Sequence, residues 1–109
     1  MIGGMPSIAQ LEKMLAADPG DAFILYGLAQ EHAKVGGAAG HGRAVEFYDR
    51  CLAADPAYCY AYFHKARSLA AMEKTAEAVQ AVRAGIAAAK KAGDGHAESE
   101  LNGLLDELE

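Results

Sequence analysis

β-Branched residues are scarce: valine, isoleucine and threonine together supply only 9 of the 109 residues, against 25 alanines. Side chains forked at Cβ favour strands and alanine loses no rotamer freedom in a helix, so a β-sandwich or barrel is excluded and helix is favoured. Cysteine is also thin. Cys51 and Cys59 both fall inside helical-looking sequence, too few and too unpatterned for a disulfide scaffold, and the expected setting is a reducing compartment, the cytoplasm. No apolar run approaches the ~20 residues of a membrane span, and Met1-Ile2-Gly3-Gly4-Met5-Pro6 lacks the basic stretch that opens a signal peptide. Positive charge is short as well, with 10 basic against 15 acidic residues and a net charge of −5. The basic residues are scattered, so nucleic acid is not an expected partner. What remains, 52% hydrophobic and 23% charged, is a globular balance in a length that holds one domain.

Six helices are expected. Ser7-Ile8-Ala9-Gln10 has the form of a capping box, in which a serine oxygen and a glutamine three residues on satisfy the first free amides. Ile8, Leu11 and Leu15 recur behind it at helical spacing until Asp18-Pro19-Gly20-Asp21 stops the helix. A second helix runs from about Ala22 to Val35, capped by Asp21 and ended by Gly36, and residues 36–42 read as a glycine-rich loop. The third carries Val45, Tyr48, Cys51 and Leu52 and ends at Asp55-Pro56; the fourth runs from near Tyr58 to about Met72. Thr75 is expected to cap a fifth helix reaching Lys91, with Gly93 as terminator, and Leu101, Leu104, Leu105 and Leu108 mark an amphipathic sixth.

Internal repetition decides among the all-α folds. Leu15-Ala16-Ala17-Asp18-Pro19 returns as Leu52-Ala53-Ala54-Asp55-Pro56 at an offset of 37, whereas Ala44-Val45 and Tyr48 align with Ala78-Val79 and Val82 at 34. The underlying period is 34, with three extra residues inside the glycine-rich segment. A helix-turn-helix unit of this length closing in Asp-Pro resembles the tetratricopeptide repeat, W-x2-L-G-x2-Y then A-x3-F then P. Leu25, Leu28, Ala29 and His32, then Ala44, Tyr48 and Pro56, stand at its positions in one unit; Tyr62, Lys65, Ala66 and Leu69, then Ala78 and Val82, stand there in the next. His32, Lys65 and Lys90 depart from the pattern, the last by removing the second proline and lengthening the fifth helix.

The resemblance implies an all-α, right-handed superhelix of helical hairpins. Its parts would be a half-repeat helix at residues 7–18, repeats at 22–56 and 57–92, and a capping helix at 96–108 that covers the last apolar face. It also implies a scaffold for a protein or peptide partner, with no catalytic residue, no cofactor and no metal. The residues agree. Gly37-Ala38-Ala39-Gly40-His41-Gly42-Arg43-Ala44 lacks the lysine and hydroxyl of a phosphate loop. No two of His32, His41, His64 and His96 have metal-ligand spacing. His32 is expected to pack, His41 and His96 to be solvated in loops, and Cys51 to be a core thiol. No serine or cysteine sits in a nucleophile setting.

One arrangement stands out. At about 100° per residue, Phe23, Tyr26 and Gln30 fall within about 60°, opposite Leu25, Leu28, Ala29 and His32, and Tyr60, Phe63 and Arg67 repeat the pattern. In the resembled family these helices line the concave surface, so four aromatic rings would form one groove, with Gln30, Lys34, His64 and Arg67 among or beside them. Chaperone-binding members hold a C-terminal carboxylate there with lysine and asparagine; Tyr26, Gln30 and His64 occupy the matching positions here. The alternative is that the C-terminal helix or a second copy covers these rings as ordinary core. A rival role is self-assembly, in which an open end at Ile8, Leu11, Met14 and Leu15 pairs with another copy into a homodimer.

Overall fold

The structure, a computed structural model, describes residues 6–109; the leader reading of Met1 to Met5 lies outside the described residues. Six helices follow in order: α1 (Ile8–Ala17), α2 (Ala22–Val35), α3 (Gly37–Ala54), α4 (Cys59–Ala71), α5 (Thr75–Ala92) and α6 (Gly95–Leu108). Among the described residues there is no strand. The helices zigzag. α2 pairs with α3, α4 with α5, and α5 with α6, while α2 also touches α4 and α4 touches α6. These latter contacts put α2, α4 and α6 in one inner row, with α3 and α5 behind it.

Several ends form as their residues dictate. Ser7 Oγ accepts from the Gln10 amide at 3.2 Å while Gln10 Oε1 accepts from the Ser7 amide at 2.7 Å, the reciprocal pair that starts α1. Asp21 caps α2 through the Ile24 amide at 3.1 Å, and Asp94 caps α6 through Ala97 at 3.0 Å. Thr75, expected as a cap, is instead the first residue of α5; Lys74 holds the cap position and makes no side-chain cap bond. With Lys90 where the repeat's proline would be, α5 runs uninterrupted to Gly93, whose φ of 71° closes it.

The glycine-rich loop is not a loop. Gly36 and Gly37, at φ 77° and 68°, reverse the chain within two residues, and α3 begins at once. The extra residues add about one turn to the front of α3. Gly40 is buried there because α3 lies against the end of α2, where a Cβ would stand 2.6 Å from the His32 carbonyl oxygen. His41 is consequently helical and half-buried, its Nδ1 3.0 Å from Ser68 Oγ of α4. His96 is likewise in a helix, in the first turn of α6, exposed and 2.7 Å from Glu100.

Small residues set the spacing of the stack. Ala29, Ala44, Ala61, Ala66, Ala78 and Ala89 have no exposed surface, and around them Leu25, Leu28, Tyr48, Val82 and Leu101 fill the volume. The core falls into two clusters, one centred on α2 and α3 and the other on α4, α5 and α6. Cys51 is fully buried in the first, and burial raises its thiol pKa to about 11. Lys65, at a position where the repeat expects an apolar side chain, reaches back to Asp49 of α3 at 2.7 Å. The α1 stripe faces inward: Leu11 is buried, Ile8 and Leu15 pack beside the first cluster, and Met14 is left 45% exposed.

Backbone geometry gives a test. At Gly85 a Cβ would stand 2.7 Å from Tyr62 Cβ and 3.1 Å from a Leu101 methyl, whereas at Gly103 it would meet open space. Gly85→Ala is expected to destabilise by about 1–3 kcal/mol through overpacking, and Gly103→Ala to stabilise by up to about 1 kcal/mol through helix propensity. Glu73, the one described non-glycine residue at positive φ (61°), closes α4 in the left-handed region. Replacing it with glycine should stabilise by about 0.5–1 kcal/mol, the relief of strain exceeding the added unfolded-state entropy. Urea unfolding of the three variants beside the parent chain reads all three signs.

Candidate functional site

The side chains that α2 and α4 turn away from the packing stripe converge through their rings. Tyr26 stands at the centre. Its ring stacks on Tyr58 at 4.8 Å and meets Tyr48 and His64 edge-on, each at 6.0 Å. His64 continues the row, lying 6.4 Å from Tyr48 and 5.1 Å from Phe63, and the Arg67 guanidinium sits 5.9 Å from the Phe63 centroid. Gln30 joins from below the surface, because the Tyr48 hydroxyl, on a fully buried side chain, donates to its Oε1. That bond turns the amide's carbonyl toward Tyr48.

The remaining expected residues lie around this row. Phe23 is 73% exposed, apart from the ring pairs among the described residues. With Pro6, Leu11, Met14, Tyr26 and Gly27 it borders an apolar concavity of about 230 Å³ between α1 and α2. Tyr60 is on the α6 side, its hydroxyl 3.5 Å from Glu100. Lys34, in the last turn of α2, is held by Glu31 at 3.0 Å. Tyr60 and Phe63 pack partly against the second core while Tyr26 packs against the first, so the rings bridge two cores rather than line a single wall.

Sequence reading missed Tyr58 and Glu100. Tyr58 precedes α4 as its N-cap, outside any helical register, and only the turn after Pro56 brings it onto Tyr26. Glu100 arrives from α6, whose place beside α4 a period of 34 does not specify. Burial governs the proton chemistry here. It raises the Tyr26 hydroxyl to about 12 and pushes Tyr48 and Tyr58 up as well. Burial, followed by the Arg67 charge, holds the His64 imidazole below its ordinary value, with Glu100 opposing. A neutral aromatic floor with a cation at one end and an apolar concavity at the other is suited to binding. Among the described residues, no three His, Cys, Asp or Glu side chains gather as a metal site.

An inner row of helices on a repeat of paired helices defines the class: a short helical-repeat scaffold. Comparison with known proteins makes it specific. The chain is 34% identical over 102 residues to a TPR repeat-containing protein of Pseudomonas aeruginosa, covering 94% of each chain. The solution structure of a tetratricopeptide repeat domain protein from Salinibacter ruber is similar at 30% identity and a TM-score of 0.75, over 84% of this chain and 90% of that one. The TPR2B domain of yeast Sti1, solved in complex with pHsp70, superposes at a TM-score of 0.84 and 21% identity, over 93% of this chain and 78% of that one. The Yersinia enterocolitica type III secretion translocator chaperone SycD superposes at 0.82 and 17%, over 93% and 68%. These last two are likenesses of fold. No family model matches the chain. The chain belongs to the tetratricopeptide repeat family.

His64 provides a pH test. The folded chain binds the imidazole proton less readily than the unfolded chain, so this contribution to stability is complete above the unfolded value of 6.5 and is lost as pH falls through it. Between about pH 7.5 and pH 5.5, thermal stability should fall more for the parent chain than for His64→Gln. Proton NMR should show His64 titrating below the midpoint of an unstructured histidine.

Proposed function

We propose that the chain is a binding module, without catalysis, whose α2–α4–α6 face holds a peptide or a segment of a partner protein. The contacts would come from Phe23, Tyr26, Gln30, Lys34, Tyr60, Phe63, His64 and Arg67, on a scaffold of a half-repeat at residues 7–18, repeats at 22–56 and 57–92 and a cap at 96–108. One observation carries this reading: Phe23 is 73% exposed beside an apolar concavity in the seam between α1 and α2. A large apolar side chain left in water next to a recess is the usual form of an anchor site. The Sti1 domain of like fold was solved with pHsp70, and SycD is itself a chaperone of translocators; both are consistent with a protein partner. Free, buried Cys51 and Cys59 suit a reducing compartment, the cytoplasm.

Partner capture tests the face directly. Phe23→Ala and Arg67→Ala change exposed side chains and should leave the melting temperature nearly unchanged, while weakening binding of any captured partner by about 1–2 kcal/mol each. Quantitative pull-down from a bacterial lysate with parent and variant chains measures this. Equal capture of every partner by all three would place binding elsewhere on the molecule.

A further inference from the structure

We infer that two copies of this chain pair about a two-fold axis at the α1–α2 seam, each placing Phe23 in the other's apolar recess. Such pairing goes beyond the binding reading above, since the occupant of the seam is the chain itself. It begins from an edge that the stack leaves open. Among the described residues α1 packs on α2 alone, whereas α6 covers the other end by packing on both α4 and α5. The apolar stripe expected to pair at that edge is turned inward, with Leu11 buried and Ile8 and Leu15 against the first cluster. Met14 alone of it stays largely in water, at 45% exposure.

Phe23, 73% exposed in the first turn of α2, faces the same recess as Met14, and Leu11, Ile24 and Gly27 also border it. Among the described residues three large hydrophobics are exposed, Met14, Phe23 and Val35, and two of them meet here. The recess measures about 230 Å³. An apolar cavity of about 150 Å³ holds a benzene ring, so a phenyl side chain fits.

The occupant follows from knob and recess sharing one patch. An isologous contact needs a surface complementary to itself, in which residue i meets residue j of the other copy and j meets i. Phe23 is both the protruding side chain and part of the rim. A half-turn about an axis through that rim brings each ring over the other copy's recess and closes the assembly at two. Knob and pocket on separate surfaces would propagate instead. Charge favours the same place: copies of net charge −5 repel, and no residue bordering the recess is charged. A seam between helices of 10 and 14 residues is small beside a standard interface of about 1,600 Å². The dimer is therefore reversible, and a partner that needs Phe23 is captured by the monomer.

Sedimentation equilibrium of the full chain from about 1 to about 300 µM, the range of weak interfaces, tests this. The expected mass rises from 11.4 kDa toward twice that value and levels there. Phe23→Glu sets two carboxylates at the axis and should weaken pairing about ten-fold or more, with the melting temperature of the dilute parent kept. Gly27→Ala changes no charge, and its Cβ has room at 3.5 Å from a Leu11 methyl; it should weaken pairing about three-fold by narrowing the recess, without lowering the melting temperature. The Met14 methyl resonance should shift with concentration in the parent and not in Phe23→Glu. A monomer at every concentration overturns the pairing. So does a mass that climbs past two copies, or a dimer equally strong in Phe23→Glu. No binding partner enters these measurements, so the pairing can fail while the binding reading stands, and the reverse.

Discussion

The closeness of one helix backbone to the next is the constraint on which the rest of this molecule depends. Where α3 meets the end of α2, and where α5 meets α4 and α6, there is no room for a β-carbon: Gly40 faces a carbonyl oxygen of α2, and Gly85 faces Tyr62 and Leu101. Fully buried alanines continue the same logic through the stack. A fold held at this separation gains dispersion contacts along entire helix faces. It also brings α2, α4 and α6 near enough for side chains of different repeats to touch, so the row of rings is a product of the packing behind it.

Much of this was legible beforehand because the signals were local. The capping box at Ser7, the Asp21 cap, the two Asp-Pro stops and the spacing of Leu25, Leu28 and Ala29 each specify a conformation with few neighbours involved, and each stands where the sequence placed it. The 36–42 segment departs from the loop its composition predicts because glycine has two uses. Gly36 and Gly37 supply positive φ for a turn, but Gly40 supplies the absence of a side chain in the middle of a contact, and composition alone does not separate them. His41, expected in that loop, is instead helical, and its partner Ser68 lies 27 residues away on another helix.

The candidate site was legible in outline for a related reason. Periodicity states which way Tyr26 or Phe63 points relative to its own helix, and it states nothing about the ring it will meet. Tyr58 enters from a turn, Glu100 from a helix outside the repeat register, and Tyr48, marked by its position as core, proves also to orient Gln30. These contacts arise between elements, so they exist only once the stack has formed. Membership of the tetratricopeptide repeat family accounts for the frame; the row of rings and Arg67 over Phe63 belong to the particular side chains this chain carries on it.

The division of the interior into two clusters has a consequence for cooperativity. α4 supplies Ala61 to the cluster built on α2 and α3, and Cys59, Ala66 and Leu69 to the one shared with α5 and α6. It is therefore a hinge pin common to both halves, and loosening one half removes support from the other. On the inner surface the same junction is spanned by Tyr26 against His64. Anything gripping α2 and α4 together would act as a brace across that seam, converting occupancy of a shallow face into slower amide exchange deep within both halves.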